Sequence, residues 1–396
     1  MFVRIANTPR PYAWGSTSLI PGLLGTRPTG EPEAELWLGA HPGSPSRILR
    51  PAQVGGAADL AAWIAADPER TLGRYAGTGR LPFLLKILAA ASPLSLQAHP
   101  TPAQAREGFA RENALGIPLD SPERNYKDEY AKPELIFALT TFDALCGFRA
   151  VDSVRAIVEA LLDADAARGD QQPQPLEDLL ETLATEDAPR TTFEWLLSNG
   201  SGVPTLVALV VELAPLVRGF ELEMQTVQAL AEEYPGDPGI VISLLLNRVR
   251  LEPGEALYLP AGNIHAYLSG LGVELMAASD NVLRGGLTPK YVDIPELLGV
   301  LDFRTVPVPY LEPTVGPGVE VFRPDVPDFV LVRISAETTY PVDGPAIAIC
   351  TEGSFGVTGA TDRVELARGE TIYITPDEGM LTFRGRGVLF LATTGR

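Results

Sequence analysis

Residues 254–265 read G-E-A-L-Y-L-P-A-G-N-I-H, with Gly254, Pro260, Gly262 and His265 at the spacing G-x5-P-x-G-x2-H. Proline and glycine so placed shape a tight turn between two strands, and the turn aims the imidazole that follows it inward. Residues 274–293 then read E-L-M-A-A-S-D-N-V-L-R-G-G-L-T-P-K-Y-V-D, a polar segment carrying Asp280, Arg284 and Lys290. The chain has only three histidines, His41, His99 and His265. Taken singly, a histidine is more often a satisfied core residue than a ligand, so a metal role for His265 requires His99 to fold beside it.

Polar partners for His265 come from three earlier segments. L-P-F-L-L-K-I-L at 81–88 is an apolar strand with one interior lysine, Lys86. Burying an unpaired ammonium is costly, so Lys86 must snorkel, find a carboxylate or face a polar cavity. Residues 94–99 alternate: Leu94, Leu96 and Ala98 lie on one face of a strand, and Ser95, Gln97 and His99 on the other. In N-Y-K-D-E-Y-A-K-P-E-L-I-F-A-L-T at 125–140, Lys132 and Glu134 share a face opposite Pro133, Leu135 and Phe137. Three apolar patterns, each with polar residues on one face, predict one shared polar cavity. His41 sits beside a turn signal without a polar partner at a recognisable spacing, and reads as structural or rim-lining. Asn281 reads as a turn cap. Glu274 reads either as a paired core carboxylate or as a neighbour of the metal.

With 396 residues and 45% hydrophobic content, the chain is long enough for two or three domains around a sizeable core. A formal charge of -19 without a Lys/Arg cluster excludes a basic face for nucleic acid. Local cations can still reverse the sign inside a pocket for an anionic small substrate. Cys146 and Cys350 are too few for a disulfide framework and read as buried free thiols. The N-terminus lacks the apolar core of a signal peptide, and the most apolar run, 203–217, is short and broken by Glu212 and Pro215. No membrane span and a cytoplasmic location are therefore expected.

Residues 1–50 are rich in proline and glycine with short β-like pieces, followed by a helical patch at 59–66 and a helix with Pro102 near its start. From 151 to 246 the period is helical, as in V-D-S-V-R-A-I-V-E-A-L-L-D-A and P-T-L-V-A-L-V-V-E-L-A. Strand patterns return at Leu251, and after about Pro307 the chain reads as an all-β unit. Helices interrupt a β protein.

The spacing around His265 resembles the second characteristic motif of the cupins, small double-stranded β-helix (jelly-roll) barrels in which that histidine points inward and binds metal. G-E-T-I-Y-I-T-P-D-E-G at 369–379 looks like a degenerate copy of this turn, without a histidine. The implied fold is mainly β with an α-helical insertion. A catalytic cupin domain would span 1–150 plus 247–306, a helical domain 151–246, and a second, metal-free cupin-like β domain 307–396. Longer motifs narrow the resemblance. P-Y-A-W-G-S at 11–16, L-S-L-Q-A-H-P at 94–100, Y-K-D-x3-K-P-E at 126–134 and the run from Glu274 to Leu298 are similar to the type I phosphomannose isomerases over nearly the whole chain.

That resemblance implies a zinc-dependent aldose–ketose isomerase interconverting mannose 6-phosphate and fructose 6-phosphate through a cis-enediol, feeding mannose activation or catabolism. It implies that Gln97, His99, Glu134 and His265 hold one zinc ion per chain, an N/O donor set without sulfur that suits zinc. Two imidazoles, an amide and one carboxylate leave a divalent site with a formal charge of about +1, which favours an anionic sugar derivative or an enediolate. Arg284, Lys132 and Asp280 are the implied catalytic residues, and Lys86, Ser95 and Lys290 the implied substrate-binding ones. Arg284 suits either transition-state stabilisation or a phosphate clamp. The implied partner is a small phosphosugar, with neither nucleic acid nor membrane, and the chain is expected to be a monomer. One departure is Ala131, where many members of the family carry histidine in H-K-P-E. A cupin metal oxygenase would need redox-active iron and a richer histidine set. A sugar-binding cupin without activity would be expected to have lost ligands or Arg284, and neither is lost.

Overall fold

A computed structural model describes residues 1–395 as a mixed α/β protein with two mostly antiparallel sheets. The nine-stranded sheet runs Leu283–Arg284, Gln97–Ala98, His265–Ala277, Phe83–Ala90, Glu35–Leu38, with four further strands, Glu134–Ala138, Phe142–Phe148, Leu246–Leu251 and Ala256–Leu259, paired alongside. Its axis is the 13-residue strand His265–Ala277. The first part of this strand pairs with Gln97 and with residues 143–146, and the second with Phe83–Ala90 and Glu134–Ala138. At the changeover Gly270 has φ 126°, and a Cβ there would come within 2.7 Å of the Phe142 ring. Only glycine lets the strand turn at that point. Register then addresses the polar residues: His265 opposes Gln97, Glu274 opposes Lys86 and Met276 opposes Glu134.

Phe83–Ala90 is buried at every position, which explains why it reads as an unbroken apolar run rather than an alternating one. The helix Pro102–Ala114 begins at a capping box of Thr101 and Gln104, with proline in its first turn.

The helical insertion comprises Val151–Ala166, Gln174–Thr182, Ala188–Leu197, Val203–Leu213 and Glu221–Glu233, then the short Gly239–Ile242. Along its first helix Val154, Ile157, Val158 and Leu161 are buried, the spacing of one helix face. Their cluster runs on into Leu96, Ala98, Ile264, Leu283 and Leu287 of the site-bearing sheet. Leu96 and Ala98 thus face the helices, which brace the segment carrying Gln97 and His99 from behind. Leu94 departs from the expected alternation and lines a cavity instead.

The second sheet has ten strands, mostly from the C-terminal third, and includes Phe2–Ala6 and Arg47–Ile48. Phe2–Ala6 pairs with Thr371–Ile374, so the start of the chain crosses to the C-terminal unit. Phe137 of the first sheet packs edge-on against Phe322 and Phe390 of the second, with centroids 5.3 and 5.1 Å away, inside one apolar cluster. Among the described residues no helix is long and apolar enough to cross a membrane.

Candidate metal centre and substrate cavity

His99, Glu134 and His265 are buried, and their potential ligand atoms lie within 4.8 Å of one another. The Nδ1–H of His99 donates to the Asn281 carbonyl at 2.7 Å, and that of His265 to the Asn263 carbonyl at 3.1 Å. A carbonyl only accepts, so each ring carries its proton on Nδ1 and turns a bare Nε2 lone pair inward. His99 Nε2 lies 3.3 Å from Glu134 Oε1, and His265 Nε2 lies 3.3 Å from Oε2. Among the described residues His99 Nε2 has no hydrogen-bond partner. Two lone pairs and a carboxylate converging on one point repel unless a cation joins them, and a backbone carbonyl on the far nitrogen is the usual orienting partner of a metal-bound histidine.

Burial first, and then the Lys132 charge, push the His99 pKa down to about 4, so the ring is neutral at neutral pH. Burial alone would raise Glu134, but the Lys132 charge leads the effects that outweigh it and hold the carboxylate well below its usual range. Gln97 pairs in register with both His265 and Arg284, and its Nε2 donates to Ser95 Oγ at 3.2 Å. With Glu134 and His265 it lines a narrow cavity of about 70 Å³.

Lys132 Nζ lies 2.9 Å from Glu134 Oε1, as their shared face predicts. Lys86 Nζ lies 2.9 Å from Glu274 Oε2 and 3.4 Å from Glu35 Oε1, all three side chains being buried. Burial lowers the Lys86 pKa, but Glu274, Glu35 and Glu134 outweigh it and raise it above the ordinary value. Glu274 is thus a paired carboxylate. Trp37 completes the group, donating Nε1–H to Glu35 Oε2 at 2.8 Å with its ring 5.2 Å from Lys86 Nζ.

Lys86, Ser95, Gln97 and Lys132 also line a much larger cavity of about 1030 Å³, together with Trp14, Asp280, Arg284 and Lys290. Residues 233–237 of the insertion form part of its wall. Arg284 is half-buried, and burial lowers its pKa; Lys290, at the exposed rim, is lowered by burial and then by the Arg284 charge. Among the described residues the Arg284 guanidinium has no carboxylate partner, and two mutually repelling cations facing one cavity make a place for an anion.

Two site residues escape sequence spacing. His41 is more than rim: its Nδ1 accepts from the Gly43 N–H at 3.1 Å, so its Nε2–H donates to Asp280 Oδ2 at 3.0 Å. Burial pushes the Asp280 pKa up, but His41 outweighs it and holds the carboxyl below its usual value. No local signal links segments so far apart in the chain. Asn281, expected as a turn cap, is fully buried. It accepts from the Lys127 N–H at 2.7 Å and donates to the Asp128 and Tyr130 carbonyls at 2.8 Å each. It stitches the segment leading to Lys132 onto the strand end that holds His99.

The sequence profile described as phosphomannose isomerase type I, catalytic domain, matches residues 2–151. A mannose-6-phosphate isomerase of Shigella flexneri is 40% identical over 394 residues, 98% of each chain. The chain belongs to the type I phosphomannose isomerases. Solved structures of this family agree over the full length. A mutant phosphomannose isomerase from Salmonella typhimurium superposes with a TM-score of 0.89 at 36% identity, covering 100% of both chains. A mannose 6-phosphate isomerase bound with zinc and yttrium gives 0.88 at 36% identity, again over 100% of both.

Proposed function

We propose that the chain is a zinc-dependent mannose-6-phosphate isomerase, interconverting mannose 6-phosphate and fructose 6-phosphate through a cis-enediol. The observation that carries this is the pair of bare Nε2 atoms of His99 and His265, each 3.3 Å from the same carboxylate and each fixed by a backbone carbonyl. His99, Glu134 and His265 would hold the zinc, with Gln97 as a fourth ligand through its amide oxygen. A zinc-bound family member of nearly identical fold supports that choice of metal. Zinc held there would supply Lewis acidity and an anchor for sugar oxygens.

Isomerisation requires removal of a carbon-bound proton beside a carbonyl and stabilisation of the charge that develops. Lys86, kept protonated by three carboxylates, is suited to charge stabilisation rather than proton removal. Lys132, in contact with Glu134, is the candidate to carry the proton between C1 and C2, because a zinc ion held by Glu134 would offset that carboxylate and favour the uncharged amine. Asp280, ionised and oriented by His41, is placed at the cavity wall to assist ring opening. Arg284 faces the cavity without a counter-ion among the described residues, near Lys290, and the two together suit a phosphate or an enediolate. Ser95 would bind the sugar from the Gln97 side. Ala131 leaves proton transfer to these groups without the histidine common in the family.

The β strands are read as two cupin barrels, the site-bearing one from 1–150 plus 247–306 and a supporting one from 307–396 joined by Phe2–Ala6, with 151–246 as the helical domain. The turn at Pro376–Glu378 carries no histidine in the second unit. Two buried free cysteines support a reducing cytoplasm, and a site complete within one chain supports a monomer. The product would feed mannose activation or catabolism. A coupled assay of mannose 6-phosphate turnover, run before chelation, after it and after zinc return, tests the proposal: zinc-restored turnover is expected, and metal-independent turnover would overturn it.

A further inference from the structure

Leu287 has φ +54°, one of two non-glycine residues with positive φ among the described residues, the other being Asn199. Asparagine tolerates the left-handed region, whereas a bulky apolar residue occupies it only when its surroundings hold it there. Leu287 is wholly buried, three residues after Arg284 and three before Lys290. What holds it comes from the helical insertion. Asp237, in the turn after Glu221–Glu233, accepts from the Leu287 N–H through Oδ2 at 3.0 Å and from the Gly239 N–H through Oδ1 at 2.7 Å. The fit around this clasp is close. A Cβ on Gly239 would come within 2.7 Å of the Leu287 side chain, and one on Gly286 within 3.2 Å of Asp237 Oδ1.

On its other side the same loop is tied to the segment bearing Ser95 and Gln97. The Gly285 N–H donates to the Leu96 carbonyl at 2.9 Å, and the Leu96 N–H to the Gly286 carbonyl at 3.2 Å. The Arg284 guanidinium has neither an ion pair nor a hydrogen bond among the described residues, so no polar contact anchors it and its direction rests on the backbone of this loop and on packing. Asp237 also borders the cavity, yet both of its oxygens are taken by backbone N–H groups. It therefore serves the loop rather than the substrate.

We infer that Asp237 is a positioning residue: it pins Leu287 in the left-handed conformation, and so fixes Arg284 toward the cavity and couples the helical insertion to catalysis. This rests on the chain being a phosphosugar isomerase, which wild-type turnover checks separately. The test compares wild type, D237A, the nearly isosteric D237N, R284A and the doubles D237A/R284A and D237N/R284A, each loaded with zinc. Asparagine has one carbonyl oxygen and serves only one of the two N–H groups. The expected kcat/KM for mannose 6-phosphate falls about tenfold in D237A and about threefold in D237N, at unchanged zinc content. In the R284A background the added loss should stay below about twofold, because a residue acting through Arg284 has little left to position. Either variant remaining within about 1.5-fold of wild type, or the full loss recurring without Arg284, would overturn the inference. If D237A fails to fold, D237N carries the same comparison. Hydrogen exchange of the amides at 285–288 and 290 needs no turnover: faster exchange in D237N supports the pin even if wild type proves inactive, and unchanged exchange refutes it.

Discussion

Lys86 and Glu274 face each other across two antiparallel strands, with Nζ 2.9 Å from Oε2 and both side chains buried. Each pairs the charge that the other strands when it is removed. Lys86→Met or Glu274→Gln is expected to cost about 3 kcal/mol, the usual penalty for breaking a buried pair from one side. The double variant should cost less than the sum by at least about 1 kcal/mol. Urea denaturation of the four proteins measures this, and strictly additive costs would show that the contact is not coupled.

The converging Nε2 atoms lead to a prediction about metal that is independent of turnover. His99→Ala and His265→Ala should each weaken zinc binding by about a hundredfold or more, and Gln97→Ala by about tenfold. Elemental analysis and competition with a chelator give the numbers. Wild-type affinity in either histidine variant would remove that residue from the ligand set.

Arg284 and Lys290 repel one another on one wall of the cavity, and their losses should differ. Arg284→Ala is expected to lower kcat about a hundredfold, by analogy with other preorganised donors to developing charge. Lys290→Ala, at the rim, should instead raise KM about tenfold with kcat nearly unchanged. Steady-state kinetics with mannose 6-phosphate separates the two; a pure KM effect at Arg284 would make it a phosphate clamp.

Asp143 links the strand Phe142–Phe148 to Arg248 at 2.8 Å and Arg250 at 2.9 Å, and Arg248 in turn donates to Thr226 of the helical insertion. Burial raises the Asp143 pKa, but the two arginines outweigh it and hold it below the ordinary 3.8. A group depressed in the folded state stabilises above its unfolded pKa, and that contribution is lost as pH falls through the folded value. Asp143→Asn should therefore cost about 2 kcal/mol at pH 7. The difference from wild type should shrink as pH drops below 3.8. Thermal melts of zinc-free chains, in which protons do not compete with metal at the histidines, would expose a pH-independent difference if the pairing is immaterial.

Much of the site was legible because its signals are local. Pro260 and Gly262 state a turn, and alternation at 94–99 and at 132–137 separates a polar face from a packing face. The helical period at 151–246 gives the insertion its extent, and the helices begin at Val151. Leu94 broke the alternation because strand pairing starts only at Gln97. The choice between two roles for Glu274 stayed open in the sequence, since a carboxylate on a strand does not announce which neighbour the register will set opposite it.

His41 with Asp280, Asp237 with Leu287, and Asn281 with the segment before Lys132 carried no sequence signal. Each joins segments whose approach depends on sheet register or on the insertion docking against the strand ends. By itself the sequence determined the strands, helices and turns and which residues lie on their polar faces, because backbone sterics and hydrophobic periodicity act over a few residues. The tertiary structure alone decided which of those faces meet, which lone pairs are left bare and which loop is pinned. Those outcomes follow from long-range packing and hydrogen bonds between segments that no local pattern relates.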